Sequence, residues 1–363
     1  MPTQIMAAFG PEERQRTHLL RVEPGEVNLE KLASLEEVSL DVAYARASLE
    51  EGTARIERIV AAPPPYGPAL LILAHGILSG AMCQFLGGGW REIVVASVLG
   101  LLLGLLAIEA RKHARVGRVF EPLAAFVISV ASFGLAWLVG PLSLFVATLA
   151  GLIVLVPGLL LTTAITELAT RHLASGTLRM SSAFMTLLGI VFGVALGGRL
   201  GAMLFGSQVN AAPGPLPAWA PVVAIVLAAS ASVVIMRAAP RDAPWVVVSG
   251  VLGVVTGRFG AIILGLELGT FVASFGVAMA SAAFERWRHR PAPVVLVPGI
   301  LLLVPGSIGY RSLSSLLERD TIAGIDTAFT MVLTAVSLVA GLLLAGVLAP
   351  PPRHSATPRQ LAP

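Results

Sequence analysis

From Pro68 to Leu348 the sequence divides into ten apolar stretches, each near the roughly 20 residues that a helix needs to cross a bilayer. Their approximate limits are 68–86, 92–109, 120–139, 142–161, 181–205, 218–236, 244–260, 262–284, 293–312 and 325–348. Only Gly140-Pro141 separates the third from the fourth, and a short connection at Gly257-Arg258-Phe259-Gly260 separates the seventh from the eighth. A chain built this way needs lipid as its solvent. Composition agrees: 13% of residues are charged and mean hydropathy is +0.84, against about 25% charged in a soluble domain.

The charges that remain are concentrated. Residues 1–60 look soluble, and most later charges stand in short clusters between apolar stretches. A pI of 9.8 points toward nucleic acid only if the basic residues build a surface. Here they flank apolar spans, where membrane orientation accounts for them. A nucleic-acid partner is therefore not expected. The single cysteine, Cys83, rules out an internal disulfide framework and reads as a small packing residue. The six histidines are scattered without metal-ligand spacing, so neither metal nor cofactor is expected. Met1 to Arg21 has no basic region followed by an apolar core, so the first span is expected to direct insertion.

Ahead of the spans, residues 4–9 and 17–22 read as strands around a Gly10-Pro11-Glu12-Glu13 turn. Asn28 can cap a helix with Leu29, Leu32, Leu35, Val38 and Val42 as its apolar positions. Ser48-Leu49-Glu50-Glu51 is a capping box that opens a second helix, which Pro63-Pro64-Pro65 ends. About 60 residues of this kind make a poor core alone. A chain that starts almost on a strand suggests further structure upstream.

Orientation follows from arginine and lysine. One set of loops holds Arg111, Lys112, Arg115 and Arg118, then Arg171 and Arg179, Arg237 and Arg241, and Arg286, Arg288 and Arg290. The other set, as at 206–217 and 318–326, is nearly uncharged or balanced. All the basic loops fall on one side if the N-terminus is cytoplasmic, and ten spans return Arg353 and Arg359 to that side.

The sequence also repeats. Leu155-Val156-Pro157-Gly158 recurs as Leu303-Val304-Pro305-Gly306, with Gly176 and Gly324 following at matched spacing. In that register Thr186 falls on Thr334, Gly193 on Gly341 and Gly198 on Gly346. Upstream, Ser97 to Gly100 echoes Ser249 to Gly253, and Ala125 to Ser129 echoes Thr270 to Ser274. Each copy holds five spans, and an odd number turns the second copy upside down, a plan recurrent in alternating-access transporters. Proline removes a backbone donor and clashes with the preceding turn. The fourth span of each copy should therefore break at its Pro-Gly and start a new half-helix within membrane depth. Freed backbone groups are tolerated there only where they line a cavity or are buried in protein.

Leu155-Val156-Pro157-Gly158 through Glu167 to Gly176 and Arg179 resembles the N-terminal part of the bacterial threonine/serine exporter family. Leu296-Val297-Pro298-Gly299 followed by Leu303-Val304-Pro305-Gly306 is similar to the double Pro-Gly of its C-terminal part, and Gly87-Gly88-Gly89-Trp90 and Gly265-Leu266-Glu267-Leu268-Gly269 match two further segments. The resemblance runs from Thr3 to Arg353. It implies five plus five spans, a cytoplasmic N-terminal region and export of threonine or serine across the bacterial inner membrane, driven by proton-motive force. Split relatives are associated with succinate export, so a C4-dicarboxylate is the alternative substrate. Family members carry additional helical residues before the stretch that begins here near Pro2-Thr3, so the N-terminal segment is expected to be truncated.

The expected fold is an all-α polytopic membrane protein with a small α+β cytoplasmic segment. Its parts are a cytoplasmic segment 1–66, a first five-helix repeat 67–205, a second 206–349 and a cytoplasmic tail 350–363. The expected substrate site comprises Pro157, Gly158, Thr162, Thr163, Pro305, Gly306, Ser307 and Tyr310. Two half-helix N-termini there offer unpaired amides and partial positive charge to a carboxylate. The hydroxyls can bind the solute or satisfy freed carbonyls, and Tyr310 can close the cavity. Glu167 can take a proton or pair with Arg171 at i+4. Glu267 is an intramembrane acid with Arg258 as a plausible partner, or is simply solvated. His75 can relay protons or sit neutral between helices. His75 and Ser79, four apart, hint at an intramembrane serine hydrolase. One helix does not provide a base oriented by a third group, so no enzyme is expected. A passive channel is the remaining rival. The 37 glycines permit close helix packing and leave self-association open.

Overall fold

The computed structural model describes residues 4–9, 16–21, 27–206, 211–288, 290–303 and 306–349. Strands β1 (Gln4–Phe9) and β2 (Arg16–Arg21) pair antiparallel, with Gln4 opposite Arg21 and Phe9 opposite Arg16. The second strand thus begins one residue before the expected 17–22. Helix α1 (Leu29–Ala43) starts where the Asn28 side chain accepts from the Lys31 amide at 3.0 Å, and α2 (Leu49–Ala61) where Ser48 accepts from the Glu51 amide at 3.1 Å. The pair is cross-linked by Lys31 Nζ donating to the Val60 carbonyl and by Arg55 on Asp41, each within 2.8 Å.

Thirteen further helices follow: α3 (Pro68–Phe85), α4 (Trp90–Ala110), the short α5 (Ala114–Gly117), α6 (Phe120–Val139), α7 (Leu144–Gly151), α8 (Gly158–Ala169), α9 (Leu173–Phe205), α10 (Ala220–Ile235), α11 (Ala243–Leu264), α12 (Leu266–Arg288), α13 (Pro293–Leu301), α14 (Gly306–Leu317) and α15 (Thr321–Leu348). Among the described residues eight segments are helical, long and apolar enough to cross a membrane, with α13 and α14 counted as one. Ten were expected. The fourth apolar stretch is split into α7 and α8, neither long enough alone, and α10 has only 16 helical residues. At 1.5 Å per residue α10 is about 24 Å long.

α1 is docked on the helical body. Its first two amides, of Leu29 and Glu30, donate to the Met236 and Arg237 carbonyls just beyond α10. Leu29 is buried with Val233, Met236 and Val246, and Ala33 with Phe284, Val294 and Val295. Tyr66, just ahead of α3, donates to the Ala238 carbonyl at 2.9 Å. Burial, with Glu30 and Asp242 nearby, pushes its phenol above the usual range, so it stays a donor.

The packing partners of α3–α9 and α10–α15 correspond. α3 packs on α4 as α10 does on α11, α4 on α6 as α11 does on α12, and α6 on α9 as α12 does on α15. α7 lies against α4 and α6 as α13 lies against α11 and α12, and α8 against α9 as α14 lies against α15. Single residues follow suit. Gly151 faces Leu99 and Ile128, while Gly299 faces Ser249 and Val277. Gly176 packs on Leu168 and Gly324 on Leu316. Beyond α8 and α14 the chain turns through Arg171 and Arg319, with φ of 65° and 67°.

These contacts correct two sequence echoes. Gly193 meets the amide of Phe126, and Gly341 that of Phe275, so Phe126 matches Phe275 rather than Phe271. Gly100 against Ser79 matches Gly250 against Ala229, so Gly100 corresponds to Gly250 rather than Gly253. Each echo was off by about one helical turn, because a face lined with Gly, Ala and Ser looks alike from one turn to the next.

The two sets meet along two seams. α3 lies against α10 through Ala74, Leu78 and Ala81 on one side and Ala224, Ala228 and Ala231 on the other. In the second, α8 lies against α14 and α15, and α9 against α14.

Candidate functional site

The fourth apolar stretch loses its helix at Gly151 and regains it at Gly158; residues 152–156 form turns. The break therefore starts a full turn ahead of Pro157. In the ninth stretch Pro298 is accommodated inside α13, where Ser249 Oγ donates to the Val295 carbonyl at 2.7 Å. The helix ends at Leu301 and α14 starts at Gly306. Pro305, expected in the site, lies outside the described residues.

The two breaks meet. A Cβ on Gly306 would lie 2.6 Å from Val156 Cγ1, 3.1 Å from the Gly158 Cα and 3.3 Å from the Gly158 nitrogen. Only glycine allows this approach, and it brings the first turns of α8 and α14 together. The Gly158 amide donates back to the Val156 carbonyl at 2.7 Å, so the amides open to a ligand at α8 are those that follow it in the first turn; each helix end adds partial positive charge.

Thr162 is buried and its hydroxyl donates to the Gly158 carbonyl at 3.2 Å; Thr163 donates to Leu159 at 2.9 Å and Thr166 to Thr162 at 2.9 Å. All three bond their own helix four residues back. A hydroxyl that donates still has lone pairs to accept with, so the row offers acceptors rather than donors. Ser307 is half-buried in the first turn of α14. Tyr310 is 1% exposed, its ring centroid 5.9 Å from that of Phe145 at the start of α7. It fills space between α14 and α7.

Glu167 is paired, but not with Arg171. Its Oε1 accepts from Arg179 Nε of α9 at 3.0 Å. Arg171 lies past the end of α8 in left-handed backbone, so the i+4 spacing does not apply to it. The Glu167 Oε2 is buried without a hydrogen-bond partner among the described residues. Glu267 stands half-buried in the first turn of α12, after a bend at Gly265 where φ is +90°. A carboxylate there suits the helix dipole. No ion pair joins it to Arg258 among the described residues. His75 is buried, with Nδ1 2.8 Å from the Leu71 carbonyl. Ser79 Oγ is buried against Gly100 without a hydrogen-bond partner, so His75 does not reach it and the nucleophile–base pair of a hydrolase is not formed.

Three features escaped the sequence reading. Glu92, 3% exposed, accepts from the Gly89 amide at 3.0 Å and the Ser143 amide at 2.9 Å, tying the start of α4 to the approach to α7. Its spacing from Gly89 is that of a capping box, which was the available signal. Asp242 is 3% exposed and pairs with Arg290 at 2.7 Å. The pair stands beside a cavity of about 540 Å³, lined by Glu36, Glu37 and Asp41 of α1 and by Arg241, Arg288 and Arg290. Arg311 of α14 places its guanidinium 6.0 Å from the Phe145 ring centroid. Among the described residues no group of His, Cys, Asp and Glu is placed to hold a metal ion.

Comparison with known proteins agrees with the resemblance. A family model for threonine/serine exporters matches residues 1–201, and a second, described as "Threonine/Serine exporter, ThrE", matches residues 221–348. The chain is similar to pheromone-regulated membrane protein 10 of Pichia sorbitophila, 28% identical over 205 residues that make up 55% of this chain and 20% of that protein. The protein of the same name from Kluyveromyces lactis is 29% identical over 215 residues, 58% of this chain and 22% of that one. That from Eremothecium gossypii is 27% identical over 215 residues, 58% and 29%. The chain thus spans less than a third of these relatives' length. No solved structure matches it.

Proposed function

This chain belongs to the threonine/serine exporter family, and from that premise we propose that it is a secondary transporter that exports small carboxylate-bearing solutes, threonine and serine first among them. The observation that carries the reading is the meeting of the two helix breaks at Gly158 and Gly306. Amides without helical partners, at two positive helix ends, form a receptor for a carboxylate. The Thr162, Thr163 and Ser307 hydroxyls flank it. Their acceptor lone pairs suit the ammonium and hydroxyl groups of threonine or serine.

The architecture we propose has ten spans, with α7–α8 and α13–α14 as broken spans and α10 as a short one. They form two five-helix repeats, 67–205 and 206–349, of opposite orientation. The corresponding packing pairs of the two sets support this arrangement. The segment 1–66 and the tail 350–363 are cytoplasmic, and the membrane is the bacterial inner membrane.

Coupling to the proton gradient is assigned to Glu167. Arg179 holds one of its oxygens and the other is buried without a partner, an arrangement that a proton on that oxygen relieves. Glu267 and His75 remain secondary candidates.

Uptake into everted membrane vesicles tests the reading, with labelled threonine, serine and succinate supplied with and without an uncoupler. Uptake of threonine or serine that collapses with the gradient is the expected result. Uptake of succinate alone would move the substrate to C4-dicarboxylates. Conduction insensitive to the uncoupler would make the protein a channel and overturn the proposal.

A further inference from the structure

We propose that Arg311 is the side chain that receives the solute's carboxylate as it leaves the junction of α8 and α14; this deepens the exporter reading and rests on it. Arg311 stands five residues into α14, about 7–8 Å along the axis from Gly306. That depth lies inside a segment apolar enough to span the membrane. Its side chain is half-buried, whereas Arg199 in α9 and Arg258 in α11 are exposed. The half-buried arginines Arg179 and Arg290 each have a carboxylate at 3.0 Å or less. Arg311 has none among the described residues, and its recorded neighbour is the face of Phe145, 6.0 Å away.

An aromatic face steadies a guanidinium without neutralising it. An unneutralised cation at membrane depth is costly and calls for an anion. Guanidinium donors form a fork that matches the two oxygens of a carboxylate. The anion that completes the set is the solute itself.

The repeat sharpens the argument. In the register that sets Gly158 on Gly306, Arg311 corresponds to Thr163. One half-helix presents hydroxyls and the other a cation, so the junction has a polar pole and a charged pole. Tyr310, on the same turn as Arg311, packs against the same Phe145 ring. Carboxylate capture and closure of this side therefore share one ring. The ligand class is a solute with a free carboxylate, and the corresponding amide is rejected.

The test uses full-length protein in everted vesicles, with unlabelled serine and serinamide competing against labelled serine. Wild type is expected to prefer the acid as competitor. Arg311→Gln should raise the half-saturating concentration about 10- to 100-fold, the range for losing one charge-assisted pair, and should cut the acid-over-amide preference by a similar factor, leaving only what the helix ends supply. Arg311→Lys should restore part of both, and Arg199→Gln should change neither. If Arg311→Gln does not reach the membrane, Phe145→Leu keeps the cation but removes its support and should weaken the preference. Wild-type half-saturation and preference in Arg311→Gln, or a lower rate with the preference intact, would overturn the assignment. Wild-type vesicles that move no carboxylate solute would instead refute the exporter reading, and the assignment with it.

Discussion

Replacing Gly306 with alanine adds one methyl group where the two breaks touch. It would lie 2.6 Å from Val156 Cγ1 and 3.1 Å from the Gly158 Cα. Carbon atoms rest at about 3.5–4.0 Å, so the first contact is too close by about 1 Å. The Val156 side chain can turn away, but the Gly158 backbone cannot without moving α8. Overpacking of this kind costs about 1–3 kcal/mol. With about 2–4 °C lost per kcal/mol in domains of 150–250 residues, the apparent melting temperature in detergent should fall by roughly 2–12 °C. Gly346→Ala is the control, because nothing lies within 4 Å of its added methyl. Val156→Ala in the Gly306→Ala background removes the worst contact and should recover more than half of the loss. The three variants and wild type are compared by the fraction of monodisperse protein surviving a temperature ramp. Gly306→Ala melting with wild type and with Gly346→Ala would refute the contact between the breaks and the site built on it.

Two further outcomes are expected. Asp242→Ala leaves the half-buried Arg290 guanidinium without this carboxylate, a loss of about 1–3 kcal/mol, and Asp242→Ala with Arg290→Ala should recover much of it in the same temperature ramp; equal melting of single and double variants would refute the pairing. Single cysteines at Ser207 and at Arg241, which is exposed between α10 and α11, in a Cys83→Ser background, should be labelled from the periplasmic and cytoplasmic sides respectively, and the reverse pattern would overturn the orientation.

The apolar runs gave most helix positions to within a few residues, because a bilayer-length helix needs little more than length and hydrophobicity. The break in the fourth stretch was legible as Pro157-Gly158, but not its start at Gly151. Nothing in Leu152-Ile153-Val154-Leu155 forbids helix, yet α7, packed against α4, ends at Gly151. Glu167 was legible as a special acid, since a carboxylate in apolar sequence stands out. Its partner was not, because Arg179 reaches it from the next helix and local spacing pointed to Arg171. Arg311 was passed over for the opposite reason. It lies among serines in Gly-Tyr-Arg-Ser, a stretch that reads as moderately polar. Only the fold shows that, among the described residues, no carboxylate forms an ion pair with it and that Phe145, far away in sequence, lies beneath it.

The seam between α3 and α10 has a mechanical consequence. Five of its six core side chains, Ala74, Ala81, Ala224, Ala228 and Ala231, are single methyl groups, and Leu78 is the exception. Methyl groups have no rotamers to change and little relief to interlock, so the centre of this seam offers little ratchet, while Ile77, Met82, Phe85, Val234 and Ile235 pack along its margin. The junction of α8 and α14 is the opposite: glycine backbone is pressed on glycine backbone, with a valine wedged beside it. One contact is smooth at its centre and the other interlocked, so separation of the two halves is resisted most at the junction of α8 and α14.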